Sequence, residues 1–277
     1  MRGTSEVVLI LLVLFIACGI HVALARLAPR LRLIKNNFLN KQVLGSYGVI
    51  SFADTAGLVC IGCIAGIIRC ADAAIYLCVM GAMCALGLAD DLLGSRDVGG
   101  FRGHFRMLIL QRRLTTGTLK AAGGALVGAA AARVVSGGDL ARWIAGTLVI
   151  ALAANFLNLV DLRPGRAVAV FFAGLGVTCV MAYGRLHSPW IIGAICLVAF
   201  AWGIADSRGR AMMGDAGSNS LGAALGLTIT LNLGLGGQIG AIVILAAINW
   251  YSEKHSISAL IERHPVLRAI DGRLGVR

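Results

Sequence analysis

Apolar stretches long enough to cross a lipid bilayer recur along almost the whole chain. A helix needs about 20 mainly apolar residues to span the hydrocarbon core, and here 58% of the residues are hydrophobic and only 14% are charged. These stretches do not alternate as the strands of a membrane β-barrel do. The sequence therefore predicts an all-α, polytopic helical membrane protein of about nine spans. We expect them near 6–28, 46–68, 71–89, 117–135, 140–157, 167–184, 188–205, 219–235 and 237–252.

The distribution of basic residues predicts the orientation of the chain. With nine spans, 20 of the 25 Lys and Arg residues fall on one side of the membrane. Cytoplasmic loops are enriched in these residues, so we expect the amino terminus outside and the carboxyl terminus in the cytoplasm. The net charge of +12 then reflects topology and attraction to anionic lipid, and we expect no nucleic-acid partner. The basic segments are the loops near 26–42, 90–116 (with Lys120), 158–166 and 206–218, and the tail from Tyr251.

The composition also predicts how the chain divides. Residues 1–252 form the expected transmembrane catalytic domain, and residues 253–277 form a cytoplasmic, amphipathic, basic tail. Apolar and basic residues are mixed along this tail in a pattern that fits amphipathic helices lying at a lipid surface. We expect one or two short helices there, interrupted at Pro265.

Three polar clusters lie at the ends of predicted spans, and all three fall on the predicted cytoplasmic side. Ionisable groups at the ends of membrane helices are energetically costly and usually functional. Their convergence on one side favours a single site. The clusters are Asp90-Asp91, Asn155-x-x-Asn158-x-x-Asp161 and Gly214-Asp215-Ala-Gly217-Ser218.

These residue types suit metal-dependent phosphate chemistry. Mg²⁺ prefers oxygen ligands, usually one or two carboxylates together with substrate phosphates and water, and neighbouring carboxylates can divide metal binding and proton transfer between them. Ser218 is predicted to cap the eighth span, where free backbone N–H groups, including that of Gly217, suit an anion. The loop after Asp91 carries cations that could bind phosphates, among them Arg102, His104 and Arg106.

Two of the clusters and the loop arginines also have a simpler interpretation. The two carboxylates Asp90 and Asp91 could begin a solvated loop, and the amides of Asn155 and Asn158 could bridge helices by hydrogen bonds. The loop arginines could serve topology alone.

Together the clusters resemble a known family. Asp90-Asp91 after the third span, Asn155-x-x-Asn158-x-x-Asp161 after the fifth and Met213-Gly-Asp-Ala-Gly-Ser218 before the eighth are similar to motifs of the polyprenyl-phosphate N-acetylhexosamine-1-phosphate transferases. That family includes the translocase that makes the first lipid intermediate of peptidoglycan. The resemblance extends over nearly the whole chain, to about residue 252.

The resemblance implies an activity and a location. It implies transfer of a sugar 1-phosphate from a UDP-sugar to a polyprenyl phosphate, with release of UMP, in bacterial cell-envelope glycan synthesis. The cofactor would be Mg²⁺, with Mn²⁺ as a substitute. The enzyme would lie in the bacterial plasma membrane with its active site on the cytoplasmic face, and a homodimer is compatible with this interpretation.

The resemblance also implies roles for individual residues. Asp90 and Asp91 would activate the lipid phosphate, and Asp91 would help Asp215 to hold the metal. The motif of Asn155, Asn158 and Asp161 would position the nucleotide sugar. Among the loop cations, Arg106 falls about where the family often has a Lys.

One loop departs from the family pattern. The chain reads Asp161-Leu-Arg-Pro164-Gly165-Arg166 where the family usually continues Asp-Gly-x-Asp-Gly. This difference points to an altered donor site. It leaves open a related phosphotransferase with a different nucleotide-linked donor, and a non-catalytic membrane protein that binds polyprenyl phosphate. A transporter is disfavoured because the chain has no internal repeat.

Overall fold

The computed structural model describes residues 19, 22–23, 26–30, 33–37, 40–94 and 116–276, and most of these residues are helical. A short antiparallel hairpin, β1 (Ile34–Asn36) and β2 (Gln42–Leu44), comes first. The helices that follow are α1 (Gly48–Ile64), α2 (Cys70–Leu93), α3 (Thr116–Val135), α4 (Leu140–Val160), α5 (Arg166–Met181), α6 (Pro189–Ser207), α7 (Gly214–Asn232), α8 (Leu235–Ser252), α9 (Ile257–Arg263) and α10 (Pro265–Leu274).

Several of these helices have the length and the apolar composition of membrane spans. Among the described residues, five helices are long and apolar enough to cross a bilayer, namely α2, α3, α4, α6 and α8. The helices α1 and α5 are apolar but shorter. A helical membrane protein is thus confirmed, whereas nine spans and the orientation stay predictions. The predicted span 6–28 lies mainly outside the described residues.

Helix α7 forms the centre of the bundle. It packs mainly against α2 and α4, and also against α1, α3 and α5, and every residue from Ala216 to Thr230 is buried. A Cβ atom at Gly222 or Gly226 would overlap the backbone of α4. The small residues therefore bring α7 and α4 into close contact, as their four-residue spacing predicts.

The hairpin is the element that the all-helical prediction missed. Leu44 forms a bridge with Ala211, and Met212 N donates to Leu44 O at 2.7 Å. These bonds attach the hairpin to the segment before α7. The hairpin therefore lies beside the amino-terminal end of the central helix α7.

The tail packs against the bundle. Arg166, the first residue of α5, donates from Nε and Nη2 to the two carboxylate oxygens of Asp271 at 2.6 and 2.9 Å, and from Nη1 to Ser258 Oγ at 2.7 Å. Val276 N donates to Ser207 O at 2.8 Å. Pro265 opens the second tail helix, where its missing N–H costs no hydrogen bond. The tail therefore contacts the loop between α4 and α5.

Candidate functional site

The paired carboxylates lie where α2 meets the start of α7. Asp90 and Asp91 are in the last turn of α2. One turn earlier, Gly87 faces the backbone of Asp215, and a Cβ atom at this position would overlap the Asp215 carbonyl. Because Gly87 has no side chain, the ends of α2 and α7 approach closely, and two of the predicted clusters come together.

Lys120 joins these two clusters. It lies in the first turns of α3, and its Nζ donates to Asp90 Oδ2 at 2.9 Å and to Asp215 Oδ2 at 2.5 Å. The three side chains are 15%, 19% and 30% exposed, respectively. A partly buried ammonium group thus holds carboxylates from two different helices.

The third cluster contributes Asn158, from the last turn of α4. In the amide orientation that satisfies both of its polar atoms, Asn158 Oδ1 accepts from Lys120 Nζ at 2.9 Å. Its nitrogen donates to Asp215 Oδ1 at 3.0 Å and to Ser218 Oγ at 3.1 Å. The amide dipole therefore points its oxygen at the cation and its nitrogen at the carboxylate.

Asp91 has a separate set of donors. Its Oδ1 accepts from Lys35 Nζ at 3.1 Å, and its Oδ2 accepts from Ser46 Oγ at 2.8 Å and from Ala216 N at 3.1 Å. Lys35 also donates to the backbone oxygen of Asp91. Lys35 is in β1 and Ser46 follows β2, so the hairpin supplies two of the three groups that orient this carboxylate.

The backbone before α7 allows this close contact. Gly214 adopts a left-handed conformation with φ +67°, and a Cβ atom there would lie 2.7 Å from Asp91 Oδ2. Both the dihedral angle and the lack of space favour glycine at this position.

Asp161 follows α4 as its C-cap residue. Burial raises the pKa of its carboxyl well above the ordinary value, and the negative charges of Asp206, Asp215 and Asp91 raise the pKa further. Asp206 itself accepts from Gly165 N at 2.6 Å. Carboxyl groups therefore extend from the first cluster towards the loop between α4 and α5, and their mutual repulsion favours the protonated form of Asp161.

Two predicted site residues, Asn155 and Gly217, have other surroundings. Asn155 donates to Asn249 Oδ1 on α8 at 2.5 Å, so its amide bridges two helices. Gly217 packs against Gly48 of α1, where a Cβ atom on Gly48 would overlap the backbone of Gly217. Arg102, His104 and Arg106 lie outside the described residues.

The predicted capping role of Ser218 is wrong. Helix α7 begins at Gly214, and its N-cap residue, Met213, makes no side-chain capping bond. Ser218 lies one turn inside the helix and is fully buried. Its Oγ donates to Gly214 O at 3.0 Å, so the hydroxyl links the first turn of α7 to Asn158.

Sequence reasoning missed the two lysines and Ser46. Lys120 adds to the positive charge that predicts the topology, but a lysine at the fourth residue of the predicted span 117–135 also signals a partner, because charges within a membrane span are usually paired. Lys35 and Ser46 lie 56 and 45 residues before Asp91. No local pattern relates residues so far apart in the chain.

The oxygen atoms around Lys120 are of the kind that bind a hard divalent cation. Carboxylate oxygens of Asp90 and Asp215 and the amide oxygen of Asn158 converge on one positive group, Lys120 Nζ. Oxygen ligands of this kind are those that Mg²⁺ prefers. In the described part of the chain, no three His, Cys, Asp or Glu side chains are arranged around a common metal position. Around Lys120, two of the three oxygens belong to carboxylates, and the third belongs to the amide of Asn158, which is not one of these four residue types.

Comparisons with known proteins do not extend this description. No protein-family model matches the chain, and no curated protein matches it.

Proposed function

We propose that this protein transfers a sugar 1-phosphate from a UDP-sugar to a polyprenyl phosphate and releases UMP, in bacterial cell-envelope glycan synthesis. The observation that carries the proposal is the meeting of Asp90, Lys120, Asn158 and Asp215, from four helices, at one end of an apolar bundle. A lipid phosphate reaches such a site from the bilayer, and a nucleotide reaches it from the aqueous side.

Mg²⁺ is the cofactor that we propose, with Asp215 and Asp90 as ligands and Asn158 as a further oxygen donor. Bound there, Mg²⁺ would neutralise charge on the reacting phosphate and on the leaving phosphate. Three carboxylates, Asp90, Asp91 and Asp215, face the two lysines of the site. The remaining negative charge favours binding of a cation.

The lysines have a direct role in this proposal. Ammonium groups bind phosphate oxygens as compact point charges, and Lys120 and Lys35 would each exchange a carboxylate contact for a phosphate contact. The lipid phosphate would react in its fully deprotonated form, for which no proton acceptor is needed. An oxygen of the lipid phosphate then forms the new P–O bond to the sugar-bearing phosphorus, and the bond from that phosphorus to UMP breaks.

Asp91 fits an orienting role better than proton transfer. Ionised carboxylates offer about four lone-pair sites, and three donors already occupy those of Asp91. We propose that Asp91 positions the start of α7, through Ala216 N, so that Asp215 faces Lys120.

The decisive experiment is UMP release by the purified protein with undecaprenyl phosphate, Mg²⁺ and a panel of UDP-sugars. We expect release that requires lipid and metal, stops with EDTA and is lost in Asp215→Asn. Asp139→Asn is the matched control, because this exposed carboxylate caps α4 at the other end of the bundle and asparagine can replace it as a cap. Release that continues unchanged in Asp215→Asn would contradict the proposed site.

A different nucleotide-linked donor is the second candidate. The contacts of the tail with the loop between α4 and α5 favour it, since Arg166 is held by Asp271 and Ser258 at the place where the sequence departs from the family pattern. The same assay with CDP- and GDP-linked donors tests this candidate. Binding of undecaprenyl phosphate without release of any nucleotide would favour the non-catalytic lipid-binding alternative.

A further inference from the structure

The two tail helices differ in what covers their apolar side chains. Helix α9 packs against α4, and its Ile257 contacts the hydrophobic core. Helix α10 contacts the bundle through Asp271, which is buried beside Arg166. Two apolar residues of α10 point elsewhere, since Val266 is 71% exposed and Ile270 is 51% exposed. The sequence predicts lipid contact for the whole tail, whereas the structure concentrates the exposed apolar side chains of its described residues on α10.

The exposed apolar residues form one strip along α10. Successive residues of an α-helix are about 100° apart around its axis, so Ile270 projects about 100° from Asp271 and Val266 about 140°. Leu267, which is 41% exposed, lies between Ile270 and the side that contacts the bundle. We call Val266, Leu267 and Ile270 the apolar flank. It is a lateral surface of α10, next to the side that packs on the bundle.

Basic side chains accompany the apolar flank. Arg273 follows Ile270 by three residues, so their side chains are neighbours on the helix surface. Arg263 ends α9 just before α10 begins. An apolar strip beside basic groups is complementary to a lipid surface that carries anionic headgroups. Among the described residues 253–276, the exposed basic residues are Lys254, Arg263, Arg268 and Arg273, and the exposed carboxylate is Glu262.

The tail lies at the level where membrane spans end. Helix α8, a candidate span, ends at Ser252 just before the tail, and Trp250 in its last turn is 67% exposed. Tryptophan near the end of a span is typically located among the lipid headgroups. After α10, Val276 N donates to the carbonyl oxygen of Ser207, the last residue of the candidate span α6. Helix α10 therefore lies between the ends of two candidate spans, at the depth of the headgroups.

We propose that the apolar flank of α10 docks on the surrounding bilayer and that this docking requires anionic lipid. Val266 and Ile270 would enter the boundary between headgroups and acyl chains, as the apolar side of an interfacial helix does. Arg263 and Arg273 would contact the phosphate groups of the lipids. This surface does not depend on the proposed transferase activity, because it uses none of the residues around Lys120.

Hydrogen–deuterium exchange of the full chain in lipid nanodiscs tests this surface. We expect the backbone amides of α10 to exchange more slowly in phosphatidylglycerol than in phosphatidylcholine. A basic residue near an anionic surface strengthens binding about fivefold, so Arg273→Gln should speed the exchange of α10 in phosphatidylglycerol about fivefold. Arg185→Gln is the matched control, because Arg185 is exposed in the turn between α5 and α6 and should leave that exchange unchanged. Comparison of variants within one lipid removes the effect of surface pH on exchange.

A second pair of variants tests the apolar contact. Ile270→Ser should speed the exchange of α10 in phosphatidylglycerol, and Val266→Ser should repeat the effect at a second position. Gly272→Ser is the control, since Gly272 lies about 160° around the helix from Ile270 and an added Cβ atom there has nothing within 4 Å. An unchanged melting temperature in detergent shows that the variants still fold.

Three results would overturn the proposal. The first is equal exchange of α10 in phosphatidylglycerol and phosphatidylcholine. The second is equal behaviour of the serine variants of the apolar flank and Gly272→Ser. The third is protection of α10 only when two protomers share one nanodisc, which would identify a second copy of the chain as the occupant of this surface.

Discussion

Lys120 is the residue on which the candidate site depends most directly. Its ammonium group contacts Asp90 and Asp215 at 2.9 and 2.5 Å. Two carboxylates without a cation between them would repel each other in a partly buried setting.

We therefore expect Lys120→Met to lower the stability of the metal-free protein by about 2 kcal/mol, the value of a charged hydrogen bond. Added Mg²⁺ should recover more stability in this variant than in the natural protein, because Lys120 no longer competes for the carboxylates. Thermal unfolding in EDTA and in Mg²⁺ measures both effects. Lys41→Met, in the exposed turn of the hairpin, is the control, and equal behaviour of the two variants would contradict the prediction.

Asp161 should make stability depend on pH. Burial and three neighbouring carboxylates raise its pKa in the folded state, so the folded protein holds this proton to a higher pH than the unfolded chain does. The contribution of Asp161 to stability therefore falls as pH rises from about 4 through the folded-state pKa. Asp161→Asn should raise the melting temperature in EDTA, by more at neutral pH than near pH 4. A difference that stays constant between these pH values would argue against this cause.

At the scale of elements, close contact between helices sets the geometry of the site. Gly48 on α1 faces Gly217 on α7 with no space for a side chain. Gly48→Ala should force the two helices apart and cost about 3 kcal/mol. Gly193→Ala is the matched control, because Gly193 is exposed on α6 and has nothing within 4 Å, and alanine there should stabilise the helix slightly. The yield and melting temperature of the two purified variants provide the comparison, and equal values would contradict the packing argument.

A buried ion pair contributes to the attachment of the tail to α5. Arg166 and Asp271 have side chains that are only 4% and 11% exposed, and removal of one partner from a buried pair typically costs about 3–5 kcal/mol. We expect Arg166→Met and Asp271→Asn each to release the tail, seen as faster trypsin cleavage after Arg263 or Arg268. The double variant should lose less than the sum of the two single losses. Additive losses would show that the two side chains do not act as a pair.

At the scale of the whole molecule, the orientation of the bundle decides which solution the carboxylate cluster meets. The excess of Lys and Arg predicts that this end and the carboxyl terminus face the cytoplasm. A green fluorescent protein fused after residue 277 should therefore fluoresce, and alkaline phosphatase inserted at Gly138, in the turn between α3 and α4, should be active. The reverse pattern would place the cluster outside and would remove access to cytoplasmic nucleotide sugars.

The sequence by itself determined that the chain is a helical membrane protein. Hydropathy is a local property, so long apolar stretches predicted helices such as α2, α4 and α6 close to their observed bounds. The central α7 was also expected as a span, but it does not reach the apolarity of the five candidate spans, because its neighbours enclose it and its small residues serve packing. The clustering of Asp90, Asn158 and Asp215 could be inferred only as far as sharing one side of the membrane.

The tertiary structure decided which groups meet. Lys120 lies between two carboxylates, Lys35 and Ser46 reach Asp91 from a hairpin, and Asn155 turns away to Asn249. These contacts join residues that are 30 to 95 positions apart in the chain. Their formation depends on how closely helices approach, which glycines such as Gly87 permit. Such distances arise from packing in three dimensions, and no local pattern of hydropathy or charge encodes them.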